Sequence, residues 1–226
     1  MTGLGRADEG RHRPGDDPWW TESFVFDAWL PDGTFGATAS LTLLPNQRLA
    51  WYWAAVVGIG RPLVSLVDLE VPLPSRGLQI RAEGLWADHI CEEPLVSWTV
   101  ANEGFAVTLD EPDDALGAAH GVPTPMAFDL GFEAEGVIDA HDQGFAQPCE
   151  VHGDIAVGLE RFVFDGLGVR RHRWGADRWW EHTTDGPRRE GLRAPVPIVV
   201  GALRFDFERV LGPSGWAEWV TPLTGS

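Results

Sequence analysis

The sequence predicts an all-β protein, an antiparallel barrel or sandwich, on three observations. Apolar side chains alternate with a period of two rather than 3.6 along most of the chain. The alternating runs recur roughly every 10–15 residues. Turn chemistry separates them, as at Pro31-Asp32-Gly33 and Pro45-Asn46-Gln47.

Residues 1–17 are rich in Gly, Arg, Asp and Pro with almost no apolar side chains, and read as a flexible arm before a folded domain of residues 18–226. In SFVFDAWL (23–30), Phe24 and Phe26 share one face of a strand, and Val25, Asp27 and Trp29 share the other. TFGATASLTLL (34–44) alternates small and polar residues. RLAWYWAAVVG (48–58) sets Trp51 and Trp53 on one face and Tyr52 on the opposite one. Further strands are expected at 62–71, 77–86, 94–102, 105–110 and 126–136, then a hairpin at 153–166, and strands at 169–175 and 197–211. One short helix is expected, with Asp110 as cap, Pro112 in the first turn and Gly121 as stop. The Arg- and Pro-rich stretch 186–197 reads as a loop.

Composition narrows the function classes. A chain of 226 residues with 44% hydrophobic and 23% charged residues is an ordinary globular protein. It has no apolar run of about 18 residues, so no transmembrane helix is expected. No secretory h-region is visible, so a cytoplasmic location is expected, with Cys91 and Cys149 as free thiols. A net charge of −17 argues against nucleic acid and against anionic membrane surfaces as partners. The seventeen basic residues are all Arg, which removes Schiff-base chemistry on a lysine. Twelve Trp against one Tyr suit a cavity with flat aromatic walls, although some of them must serve packing.

Two stretches concentrate chemistry. GLWADHICEEPLVSW (84–98) holds Asp88, His89, Cys91, Glu92 and Glu93 between Trp86 and Trp98. A carboxylate pressed against indoles has a raised pKa and makes a general acid, here Glu92 or Asp88. The plainer reading is a polar strand end with a solvated Glu pair. In VRRHRWGADRWW (169–180), Arg170, His172 and Trp174 share a strand face, with Arg171 and Arg173 opposite and Asp177 just beyond Gly175. An imidazole beside Trp with Asp177 to orient it is a workable acid/base unit; an Arg-rich outer face paired with surface acids explains the residues equally well. His89, Cys91, Cys149 and His152 offer two Cys and two His, but their spacing fits no zinc signature, and no metal is expected. No phosphate loop, dinucleotide fingerprint, nucleophile elbow or His-Glu-x-x-His occurs, so no cofactor is expected.

GDDPWWTESFVFDAWLPDG, LLPNQRLAWYWAAV, the 84–112 stretch, GFAQPCEVHGDI and GLGVRRHRWGADRWW occur in this order. Together they resemble the bacterial hydroxyneurosporene-synthase-like family, related to AttH and the carotenoid 1,2-hydratases, over roughly residues 14–180. The most distinctive piece is Gly168, Arg170, His172, Trp174 and Gly175, after which Asp177 and Arg178 stand exchanged relative to the family pattern. The resemblance implies a lipocalin-like (calycin) antiparallel barrel. It also implies hydration, dehydration, isomerisation or cyclisation of an apolar, terpenoid- or steroid-like substrate, and it points to His172, Trp174, Trp86, Glu92 and Trp98. Only 46 residues follow Trp180, so a second barrel there must be reduced, completed by another chain, or replaced by a sheet over residues 150–226.

The combined expectation is a cofactor-free acid/base enzyme working inside a Trp-lined barrel. Glu92 or Asp88 is the acid, His172 the base, and Asp177 its orienting partner; Trp51, Trp53, Trp86, Trp98 and Trp174 are the walls. Indole faces stabilise a carbocation formed by protonating an alkene. A non-catalytic carrier of a hydrophobic small molecule and a shape-driven cyclase are the alternatives, and the chain's oligomeric state is left open to a homodimer.

Overall fold

The structure, a computed structural model, describes residues 4–117, 121–184 and 190–223, with side chains to residue 221. It is all-β. Eight antiparallel strands form a closed ring: β1 (Thr21–Trp29), β2 (Phe35–Leu44), β3 (Leu49–Gly58), β4 (Leu63–Pro72), β7 (Ser97–Leu109), β8 (Val122–Ala134), β10 (Gly144–Val157) and β11 (Glu160–Gly175). Each strand pairs with its neighbour along the chain, and β11 returns to β1, which makes a lipocalin-type up-and-down barrel. Between β4 and β7 the short β5 (Ile80–Ala82) and β6 (Leu85–Glu93) form an inserted hairpin. The first part of β7 pairs with β6, and its last residues pair with β4, so β6 completes the wall where β4 parts from β7. A three-residue β9 (Asp139–His141) flanks β10.

The period-two reading of each strand sets which side chains enter the barrel. Phe24, Phe26, Tyr52, Trp98, Phe128, Leu130, Phe132 and Phe164 belong to one interior cluster. The opposite faces of β1, β2 and β3 are also buried, because a second sheet covers them. That sheet is a three-stranded meander of β12 (Leu192–Val200), β13 (Leu203–Gly212) and β14 (Gly215–Leu223). Trp51, Trp53, Trp180, Val196, Ile198, Phe205 and Phe207 form the layer between the two sheets. The reduced second unit expected after residue 150 is thus a sheet laid on the first barrel, and β10 and β11 belong to the barrel itself.

Several local expectations change. The strand expected at 77–86 is broken by a turn at Gly84 (φ 69) into β5 and the start of β6, and the strands expected at 94–102 and 105–110 run together as β7. The stretch 197–211 is two strands, because Gly201 takes φ 61 and turns the chain back between β12 and β13. The segment expected as a loop over 186–197 enters β12 at Leu192, while residues 185–189 lie outside the described residues. The short helix is a 3-10 turn, Pro112–Leu116, preceded by Glu111 rather than capped by Asp110.

Charged groups of Asp27, Arg171, Arg173, Arg209 and Glu218 between barrel and sheet are joined in a compact ion network. Asp27, fully buried on the outer face of β1, accepts hydrogen bonds from Arg171, Arg209 and the Thr38 hydroxyl. Glu218 accepts from Arg173 and, at 2.8 Å, from Arg209 Nη1. Burial alone would raise the Glu218 carboxyl, but Arg173, Arg209 and Arg171 outweigh it and hold it at about 2.

Candidate functional site

The two ends of the barrel differ. One end is a mouth formed by Phe35, Val56, Val64, Val157 and Phe162, with a cavity of about 140 Å³. Arg61 stands over the Phe162 ring at 4.7 Å and reaches Glu160 at 2.6 Å across this mouth.

The other end is closed by the N-terminal segment. Expected as a flexible arm, it is seated on the barrel by charge pairing that composition alone does not display. Glu9 is buried and accepts from Arg170 Nη1 at 2.8 Å and Nη2 at 2.5 Å, from the Leu95 amide at 2.7 Å and from Trp98 Nε1 at 3.2 Å. Arg170 also donates to Gln147 Oε1 at 2.7 Å. Beside this pair, Glu22 Oε1 meets His172 Nε2 at 2.9 Å and His12 Nδ1 at 2.7 Å, and the His12 amide donates to the same carboxylate. His172 Nδ1 donates to the Asp8 carbonyl at 2.8 Å. Trp174 stacks on His12 at 3.9 Å. Arg170, His172 and Trp174 do share the inward face of β11, as the period of two requires, and each grips a residue of the N-terminal segment.

Midway along the interior sits a third group. His89 points inward from β6, is 3% exposed, and neither ring nitrogen has a hydrogen-bond partner. It packs edge-on to Phe26 at 5.2 Å and against Tyr52 at 6.0 Å. Burial drives its pKa from 6.5 down to about 3, so the ring is neutral at physiological pH. The Tyr52 hydroxyl donates to Asn102 Oδ1 at 2.9 Å, and burial raises the phenol's pKa. His89, Tyr52 and Asn102 are thus neutral polar groups set among apolar side chains midway along the tube.

The sequence-predicted residues divide among these places. Trp98 and Trp174 face inward with His172. Glu92 does not enter the barrel: it is exposed near the end of β6, where the pairing with β7 slips by a residue between Cys91 and Glu93. Asp88 and Trp86 lie on the outer face of β6, and Asp88 accepts from Gln79 at 2.8 Å. Asp177 is exposed and pairs with His182 at 2.9 Å, not with His172, because Gly175 turns the chain away from the barrel end. Trp51 and Trp53 line the layer under the second sheet rather than the barrel interior. The two-Cys, two-His set does not assemble, since His89 points inward while His152 lies on the outer surface near Glu133. Burial also raises both thiols, Cys149 to about 11.

His89 was visible in the sequence only as one member of a polar strand. Its signal was its parity with Leu85 and Ala87, which places it on the buried face. Glu9 and His12 gave no signal, because Glu9 meets Arg170 of β11, 161 residues away, and Leu95 and Trp98, 86 and 89 residues away, while His12 meets Glu22 of β1 only once the N-terminal segment folds back on the barrel.

Residues 5–185 match the family model described as "Domain of unknown function (DUF7064)". The chain belongs to this family. The match takes in the N-terminal segment and all eight barrel strands, and it ends before β12, so the second sheet lies outside the shared unit. No curated protein matches the sequence. Among solved structures, the chain is similar to CghA, crystallised with Sch210972, with a TM-score of 0.43 and 13% identity. That similarity covers 94% of this chain and 62% of CghA, so the chain spans less than two thirds of that protein's length.

Proposed function

We propose that the barrel receives an apolar small molecule bearing one hydrogen-bonding group, which enters at the Phe35–Phe162 mouth and is held at its polar end by His89. The observation that carries this reading is the His89 ring, with two buried nitrogens that no protein group satisfies. A buried polar group without a partner costs about 1–3 kcal/mol, so a ligand that supplies the partner recovers that amount on binding. The lining supports the route. Ala28, Ala37, Ala39 and Ala54 form a contiguous patch of small side chains just inside Val56. Tyr52 lies four residues beyond Val56 on β3, a depth of about 13 Å at 3.3 Å per residue. Drug-sized pockets combine an apolar wall with few placed polar groups in this way.

The hydration chemistry read from the sequence needs a proton donor facing the substrate. Among the described residues the buried carboxylates are Glu9 and Glu22, paired at the closed end, and Asp27 and Glu208, outside the barrel. Neutral His89 and the Tyr52–Asn102 pair instead favour, as a second reading, a cyclase or isomerase that acts by shaping and hydrogen-bonding its substrate. The resemblance to hydroxyneurosporene-synthase-like proteins is compatible with either form.

Titration with N-phenyl-1-naphthylamine, an apolar fluorophore with one N–H, tests the reading. Saturable enhancement is expected in the wild type. His89→Leu should weaken it at least tenfold, Ala54→Leu should weaken it by narrowing the passage, and His182→Ala, on the outer surface, should leave it unchanged. Equal affinity in the wild type, His89→Leu and Ala54→Leu would refute the site.

A further inference from the structure

The closed end of the barrel carries a second constellation that ligand binding at His89 does not use. One donor atom each from His12, Glu22 and His172 lie within 4.8 Å of one another. The geometry points to a divalent transition-metal site here, with two imidazoles and one carboxylate as ligands and zinc as the ion that fits them.

Four features support this beyond the cluster itself. First, the donor set is right: neutral imidazole and carboxylate both ligate Zn²⁺ at about 2.0–2.2 Å, with tetrahedral ligand–ligand edges of about 3.4 Å. The pairs to Glu22, at 2.7 and 2.9 Å, need to open by about 0.5–0.7 Å to reach that edge. Second, the outer shell is in place. A metal-bound His characteristically donates its other N–H to a carbonyl or carboxylate, which fixes the ring and its tautomer. His172 Nδ1 donates to the Asp8 carbonyl at 2.8 Å, and His12 Nε2 faces Asp8 Oδ1 at 3.5 Å. Third, the proton arithmetic allows exchange. A carbonyl only accepts, so His172 Nδ1 carries a hydrogen; the Nε2–Oε1 contact then needs a second proton between His172 and Glu22. Zn²⁺ takes the place of that proton, while His12 moves its hydrogen to Nε2, toward Asp8. Binding thus releases one proton and leaves an imidazole–imidazole–carboxylate set around the ion. Fourth, the site is buried but reachable: Glu22 and His172 are buried, and His12 is 21% exposed.

Three protein ligands leave a fourth position for water or a substrate oxygen, as in zinc sites with catalytic chemistry. Such an ion would also tie the N-terminal segment, through His12, to β1 and β11.

The test uses tag-free full-length protein dialysed against chelator. Calorimetric titration with Zn²⁺ should give one site, and Co²⁺ should give the visible absorption of a four- or five-coordinate ion. His172→Ala and His12→Ala should each weaken Zn²⁺ binding by more than 100-fold, and Asp8→Asn by about 10-fold, the usual effect of losing an outer-shell partner. His12→Ala, at the more exposed position, serves as the decisive variant if His172→Ala does not fold. His182→Ala, on the outer surface, should change nothing. No stoichiometric Zn²⁺ site in the wild type would overturn the assignment, as would binding that survives His12→Ala unchanged or that is lost in His182→Ala.

Discussion

Replacing Glu9 by alanine leaves the Arg170 guanidinium buried without its counter-charge. Arg170 and Glu9 are 4% and 3% exposed, and two of the guanidinium nitrogens bond the carboxylate. After the change Gln147 Oε1 remains as a partner of Nε, while the Leu95 amide and Trp98 Nε1 lose their acceptor. Breaking a buried pair by removing one member costs about 3–5 kcal/mol, because the other charge stays desolvated. For a chain of this size each kcal/mol lowers Tm by roughly 2–4 °C, so a loss of about 6–20 °C is expected. Differential scanning calorimetry at pH 7 provides the measurement. A double variant, Glu9→Leu with Arg170→Met, should recover most of the loss by replacing the pair with apolar contacts. A Tm drop under about 3 °C in Glu9→Ala, or no recovery in the double variant, would refute the claim that this pair anchors the N-terminal segment in a desolvated barrel end.

Asp27→Asn removes the charge shared by Arg171 and Arg209 between barrel and second sheet; it should cost about 3–5 kcal/mol by urea denaturation and expose β12–β14 to limited proteolysis. Trp53→Ala should destabilise by about 3–5 kcal/mol, seen in the same melts, through a cavity under the second sheet. Acid stability has two separable parts. His89 is held neutral, with its pKa lowered to about 3, so its contribution is complete above 6.5 and is lost as pH falls toward 3, at up to about 1.4 kcal/mol per pH unit. His89→Leu should flatten the stability curve in that window and raise stability at pH 7. Glu218 is lowered to about 2 from 4.5, so its contribution is present above 4.5 and is lost between there and about 2; Glu218→Gln should remove that lower limb of the acid titration.

Much of the architecture could be read from the chain. The parity of Phe24 and Phe26 against Val25, Asp27 and Trp29 places the barrel interior correctly, and so does that of Arg170, His172 and Trp174. Parity alone fails at Trp51 and Trp53, because it separates two faces without saying which one meets the core; here both do, one inside the barrel and one under a second sheet. The candidate site was harder to read. Glu92 lies one residue past Cys91, the last inward position that stays in register, and its acidic neighbours gave no sign of the slip. The partners of Glu9 and His12 on β11 and β1 become neighbours only when β11 closes on β1, a contact that no local pattern encodes. Arg170, His172 and Trp174 stood out in the sequence, and the structure gives them a holding role at the barrel end.

The ring itself is closed unevenly. β10 and β11 are joined over fourteen residue pairs from Gly144↔Arg173 to Val157↔Glu160, whereas β4 meets β7 at Leu63↔Leu109, Val64↔Thr108 and Ser65↔Val107 only. A cylinder zipped so briefly along one line has a natural seam. With β1–β3 pinned under the outer sheet, widening of the tube falls to that seam and to the β5–β6 hairpin that patches it. Backbone amides of residues 63–65 and 107–109 should therefore exchange with solvent sooner than those of β10 and β11. His89 hangs from the patching hairpin, so the group proposed to greet the guest rides on the part of the wall most free to yield.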